Sequence, residues 1–201
     1  MPLQAIKQAI QEGDAVALKR LLDEDPCRAN GLIRWGADNT IQTHPLHFVS
    51  DMLFAGALKR GEDLPLIDVL IEAGADLDFQ RTPQSDTPLI GAASLGAEDA
   101  GIRLLDAGAR PELRGIFGES ALHWAALLGE VRLAARLIAG SELELKDTRY
   151  NSPPLGGRFS DGTTSRPGTW AGRLKWRLCW WRPERRSILC GLSPNRCAPT
   201  L

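Results

Sequence analysis

From Thr87 to Gly140 the chain alternates two kinds of apolar stretch. One is short and built largely of small residues: Leu89-Ile-Gly-Ala-Ala93, then Leu122-His-Trp-Ala-Ala126. The other is amphipathic, with Ile102, Leu104 and Leu105, then Val131, Leu133, Leu137 and Ile138, set among Glu, Asp and Arg. Both kinds follow a helical period, which predicts a slim first helix and a striped second helix in each unit. The layout recurs at a fixed interval. Leu89, Leu122 and Leu155 are spaced by 33 residues, and Gly96 and Gly129 keep the same spacing. A repeat of that length predicts a stack of supersecondary units in which each covers its neighbour.

Local chemistry supports the boundaries. Thr87 can accept from backbone N–H groups at the start of a helix whose first residue, Pro88, has no N–H to lose, and Ser120 can cap the next. Gly74, Gly108 and Gly140 are placed to end the second helices in a left-handed turn. Four units result: an N-terminal capping pair at 3–25 with a polar outer face (Gln4, Lys7, Gln8, Gln11), and repeats at about 44–78, 87–113 and 118–147. The first of these repeats is long. Leu46 and Leu89 are 43 residues apart, which places some ten extra residues mostly between Phe48 and Gly61. Residues 26–43, with Trp35 and Gly36, read as an irregular connection.

The phrases Ser120-Ala-Leu-His-Trp-Ala-Ala126 and Leu70-Ile-Glu-Ala-Gly-Ala-Asp76 resemble the ankyrin repeat, as do Thr87-Pro-Leu89 and its return at 33-residue spacing. The resemblance covers roughly residues 3–155. It implies an all-α solenoid of about four helix pairs with finger-like loops, acting as a non-catalytic scaffold, adaptor or inhibitor that binds a protein. It also implies that His47 and His123 hydrogen-bond neighbouring loop backbone rather than act in catalysis. On the same basis the position after that histidine, Phe48 and Trp124, is expected to face the concave groove. Counting from the glycines places Arg81, Ile116, Phe117, Arg149 and Tyr150 at finger tips. Aromatic residues and Arg dominate binding hot spots, so these seven residues form the expected contact stripe.

Candidate chemistry changes little. His44, His47 and His123 are the only histidines, and His44-x-x-His47 has no third ligand in view. No nucleophile elbow, zincin, P-loop or dinucleotide motif occurs, so neither enzyme activity, a small-molecule substrate, a cofactor nor a metal is expected. Cys179, Cys190 and Cys197 lack the paired spacing of a zinc site.

Charge and composition then divide the chain. Beyond Asn151 lie nine Lys or Arg and two Asp or Glu, a balance of +7, against 15 and 23 before it, a balance of −8. A fifth unit opens at residue 151, with Pro154 and Leu155 in register, and is aborted. Residues 156–201 are rich in Gly, Ser, Pro, Arg, Trp and Cys and show no apolar period. Such a mixture is what a GC-rich gene yields when read out of frame, so a frameshift near Leu155 is one reading of this tail. The other is a basic, aromatic tail that binds nucleic acid or an anionic membrane. With the fifth unit missing, apolar surface around Trp124, Ala125, Leu127, Leu133 and Leu137 is expected to lie partly open, giving a monomer or weak self-association. No stretch approaches the ~20 apolar residues of a membrane span. With Cys27 alone in the first part and no secretory pattern, the expected compartment is the cytoplasm.

Overall fold

The computed structural model of the protein describes residues 2–36, 38–148 and 151–154. Within them the chain forms four helix pairs: α1 (Pro2–Glu12) with α2 (Ala15–Glu24), α3 (Pro45–Ala55) with α4 (Asp63–Glu72), α5 (Pro88–Ser94) with α6 (Glu98–Asp106), and α7 (Ala121–Leu128) with α8 (Val131–Leu137). The first helices stack in one layer, α1 on α3, α3 on α5 and α5 on α7. The second helices stack in the other, α2 on α4, α4 on α6 and α6 on α8. The core runs between the layers through Ile6, Ile10, Leu18, Leu22, Leu46, Leu66, Leu70, Leu89, Leu104, Leu122, Leu133 and Leu137, all at most 2% exposed. Most of the favourable free energy of folding comes from removing such surface from water.

The expected caps are present. The Thr87 hydroxyl accepts from Ile90 N–H at 3.3 Å, and Pro88 holds the first helical position. Asp14 accepts from Ala17 N–H at 2.8 Å and starts α2. Close packing has its own cause. A Cβ on Gly91 would lie 2.5 Å from His47 Nδ1, and one on Gly101 would lie 2.8 Å from a Leu133 methyl, so both glycines mark places where adjacent repeats need the room.

Three sequence expectations are corrected. Residues 26–43 are ordered secondary structure: a 3-10 turn at Pro26–Asn30, then an antiparallel hairpin of β1 (Ile33–Trp35) and β2 (Ile41–Thr43), with Ile33 opposite Thr43 and Trp35 opposite Ile41. The Trp35 indole N–H donates to the Thr43 hydroxyl at 2.8 Å, and its ring meets Phe48 edge-on at 5.5 Å. Second, Gly74 and Gly108 take the left-handed conformation, with φ of +80° and +102°, but Gly140 does not. It arrives one residue early relative to Gly108 in the 33-residue register, so α8 closes in a 3-10 turn, Ile138–Gly140, instead of a left-handed stop. Third, Trp124, Ala125, Leu133 and Leu137 are buried and Leu127 is half-buried; the large apolar residues exposed at that end are Val131, Ile138 and Leu143.

Candidate functional site

From α4 onward each helix pair is joined to the next by a loop without regular secondary structure, and neighbouring loops brace one another. Gln80, in the loop after α4, donates through Nε2 to Ser85 O in its own loop at 2.6 Å and to Arg114 O in the following loop at 2.9 Å. Arg110 donates to the Asp78 carboxylate through both its backbone N–H (2.9 Å) and its Nε (2.7 Å). The tip at 115–118 is fixed from several sides. Gly118 N–H donates to Gly115 O, Gly115 N–H to Glu119 O, and Phe117 N–H to Glu119 Oε2, at 2.9, 2.8 and 2.7 Å. The next loop then seals it, because the backbone N–H and hydroxyl of Thr148 both donate to Phe117 O at 2.8 Å.

Glu119 anchors this tip from inside. It is 1% exposed, accepts the Trp124 indole N–H on Oε1 at 3.3 Å, and its carboxyl is pushed upward first by burial and then by the nearby Asp86 charge. On this frame Ile116 is 63% exposed, Phe117 is half-buried and Arg81 is exposed one loop away. The tip therefore presents an apolar group on backbone that is already ordered, which lowers the entropic cost of binding.

Two of the expected contact residues leave the surface. Phe48 is 0% and Trp124 3% exposed. Their position on the first helix is the one Gly91 occupies in α5, and there the Cβ direction points at His47 of the preceding repeat. Both side chains are turned inward: Phe48 meets Trp35 of the hairpin, and Trp124 bonds to Glu119 at the start of its own repeat. Arg149 and Tyr150 lie outside the described residues.

The histidines serve the loops. His47 Nε2 lies 3.0 Å from Asp86 O and His123 Nε2 3.3 Å from Ser152 O, each ring N–H donating to the carbonyl just before the next repeat. His123 Nδ1 accepts from Ser120 N–H at 3.0 Å, which places the ring proton on Nε2, and burial lowers the readiness of this ring to take a second proton. His44 was the residue whose role the sequence did not disclose. It stacks on Phe79 at 4.6 Å and bonds to Asn30 Oδ1 at 3.1 Å, and burial drops its pKa to about 3. Asn30 in turn accepts from Asp76 N–H at 2.7 Å and donates to Gly74 O at 3.0 Å, tying the hairpin region to the loop after α4. Among the described residues no cluster of three or more His, Cys, Asp or Glu side chains is arranged to hold a metal, and no helix is long and apolar enough to cross a membrane.

Residues 53–147 match the family model for ankyrin repeats, in three copies. Together with the stacked helix pairs and the histidine-to-loop hydrogen bonds, this match identifies the stack over residues 53–147 as ankyrin repeats. The match begins inside α3, so the α1–α2 pair and the hairpin precede it. No curated protein matches the chain. Ankyrin repeats are generally protein–protein interaction modules and typically non-catalytic.

Proposed function

We propose that this protein is a non-catalytic scaffold, adaptor or inhibitor in the cytoplasm that holds a protein partner on its loop tips. The binding module comprises residues 1–155, with Arg81, Ile116 and Phe117 as its contact residues. The observation that carries the reading is Ile116: a large apolar side chain, 63% exposed, at the summit of a loop whose backbone is held by both adjacent structures. An exposed apolar anchor on rigid backbone, next to an arginine, has the composition of a binding hot spot. Truncation of such an anchor costs about 2 kcal/mol, or roughly 30-fold in affinity. Immobilised full-length chain should therefore retain a partner from cell extract that the Ile116→Asp chain releases, with thermal midpoints unchanged. Equal retention by both chains would remove the loop tips from the binding surface.

A further inference from the structure

The two ends of the stack differ in kind. At the N-terminal end α1 exposes Gln4, Gln8, Gln11 and Glu12, and α2 exposes Lys19, Arg20, Asp23 and Glu24 beside a single large apolar residue, Val16 at 82%, so that end is mainly polar, as befits the end of an array. At the other end α8 exposes Val131 at 75% and Ile138 at 43%, with Ala134 half-buried and Ala135 exposed between them. Moved back by 33 residues, these positions are Glu98, Gly101, Ile102 and Leu105 of α6. That face of α6 is the one on which α8 stacks: Gly101 lies beneath a Leu133 methyl, and Glu98 accepts from the backbone of Arg132 and Leu133. The outer face of α8 thus repeats the position of an existing interface, in apolar residues, and none of the described helices stacks on it.

The chain after α8 is laid out as though another pair followed. Ser152 stands 33 residues after Glu119 and 66 after Asp86, and its carbonyl receives His123 Nε2 as that of Asp86 receives His47 Nε2. Pro154 stands in register with Pro88 and Ala121, the first residues of α5 and α7, and all three are buried. We propose that the outer face of the α7–α8 pair, along Val131, Ala134, Ala135 and Ile138, is a stacking surface whose occupant is a fifth helix pair of this same repeat type, entered through Ser152–Pro154. The sequence after Leu155 does not have the pattern of that pair, so a coding sequence that supplies it does so in another reading frame.

The test compares the full chain with a chimaera in which residues 1–154 continue directly into the sequence of residues 89–118, so that Leu89 takes the place of Leu155. Ala134→Glu with Ile138→Lys is then introduced into both. On an open helix face this is a favourable i, i+4 pair, whereas beneath a stacked helix it buries two charges. The chimaera should melt at least about 5 °C above the full chain, and the double substitution should remove that gain while moving the full chain by no more than about 1 °C. A chimaera no more stable than the full chain, or equal shifts in both backgrounds, overturns the proposal. So does sedimentation of the full chain as a dimer that the double substitution dissociates, because the face then belongs to a second copy.

Discussion

Glu130 stands where the preceding repeat has Ala97, and both are buried, at 7% and 3% exposed. Alanine loses little there, but neither carboxylate oxygen of Glu130 has a hydrogen-bond partner. Burial pushes its pKa up to about 8, with the Glu98 charge adding to the effect and Arg60 opposing it. The folded protein therefore keeps a proton that the unfolded chain gives up. The resulting stabilisation is complete below the ordinary carboxyl pKa of about 4.5 and is lost as the pH rises through about 8. Glu130→Gln removes this titration, so the variant should be more stable than the parent at pH 9 by about 2 kcal/mol and nearly equal to it at pH 5, measured by urea unfolding. An unchanged difference between the two pH values would show that Glu130 is ionised and solvated in the folded protein. Nothing in the order Gly129-Glu130-Val131 marks this residue as buried, since Glu at a helix start ordinarily meets water. The same limit explains Phe48 and Trp124. On a short helix with apolar residues on several sides, the pattern does not separate the face turned to the groove from the face turned inward.

At the scale of the elements, repeats help start one another's helices. The α8 N-terminus has no side-chain cap of its own; instead Glu98 of the preceding pair accepts from Arg132 N–H at 2.8 Å and Leu133 N–H at 3.2 Å, while its other oxygen takes the Arg132 guanidinium at 2.8 Å. Desolvation is the largest single influence on the Glu98 carboxyl and works against ionisation, yet these hydrogen bonds and the Arg132 charge together hold it below the usual range. Glu98→Ala should cost about 1 to 2 kcal/mol, the worth of a lost cap, and speed hydrogen exchange at the Arg132 and Leu133 amides. Unchanged exchange at those two amides would mean that α8 starts without help from Glu98. Caps within one unit were legible, as at Thr87 and Asp14, because donor and acceptor are three residues apart. A cap supplied from 34 residues away has no local signature. The hairpin did have one: Ile33, Trp35, Ile41 and Thr43 alternate about Gly36 and Asn39, both at positive φ, but strands of three residues give period-two patterning little length in which to show.

Over the whole molecule the helix pairs are tied edge to edge by ion pairs on the outer layer: Lys19 to Glu72 at 3.1 Å, Arg103 to Asp68 at 2.5 Å, Arg132 to Glu98 at 2.8 Å, and Arg136 to Asp106. Such solvated pairs contribute little each, so the cohesion of the stack rests on buried interfaces between neighbours. In that arrangement a pair with two neighbours is held by two interfaces and a pair at the edge by one. The α5–α6 pair packs against α4 and α3 on one side and α8 and α7 on the other, while α8 meets α6 and α7 and leaves Val131 and Ile138 in water. Its last turn is also weaker, because the missing residue before Gly140 replaces the left-handed stop with a 3-10 turn. Local opening should therefore begin at α8. Native-state hydrogen exchange should find the amides of residues 134–138 opening at a free energy at least about 1 kcal/mol below those of residues 101–105, although Leu133 and Leu137 are as deeply buried as Leu104. The gap should close in the chimaera that adds a fifth pair, because α8 then acquires its second interface. Equal protection of the two helices in the full chain would mean that a one-sided interface holds α8 as firmly as two interfaces hold α6, and that nearest-neighbour addition fails at this end of the stack.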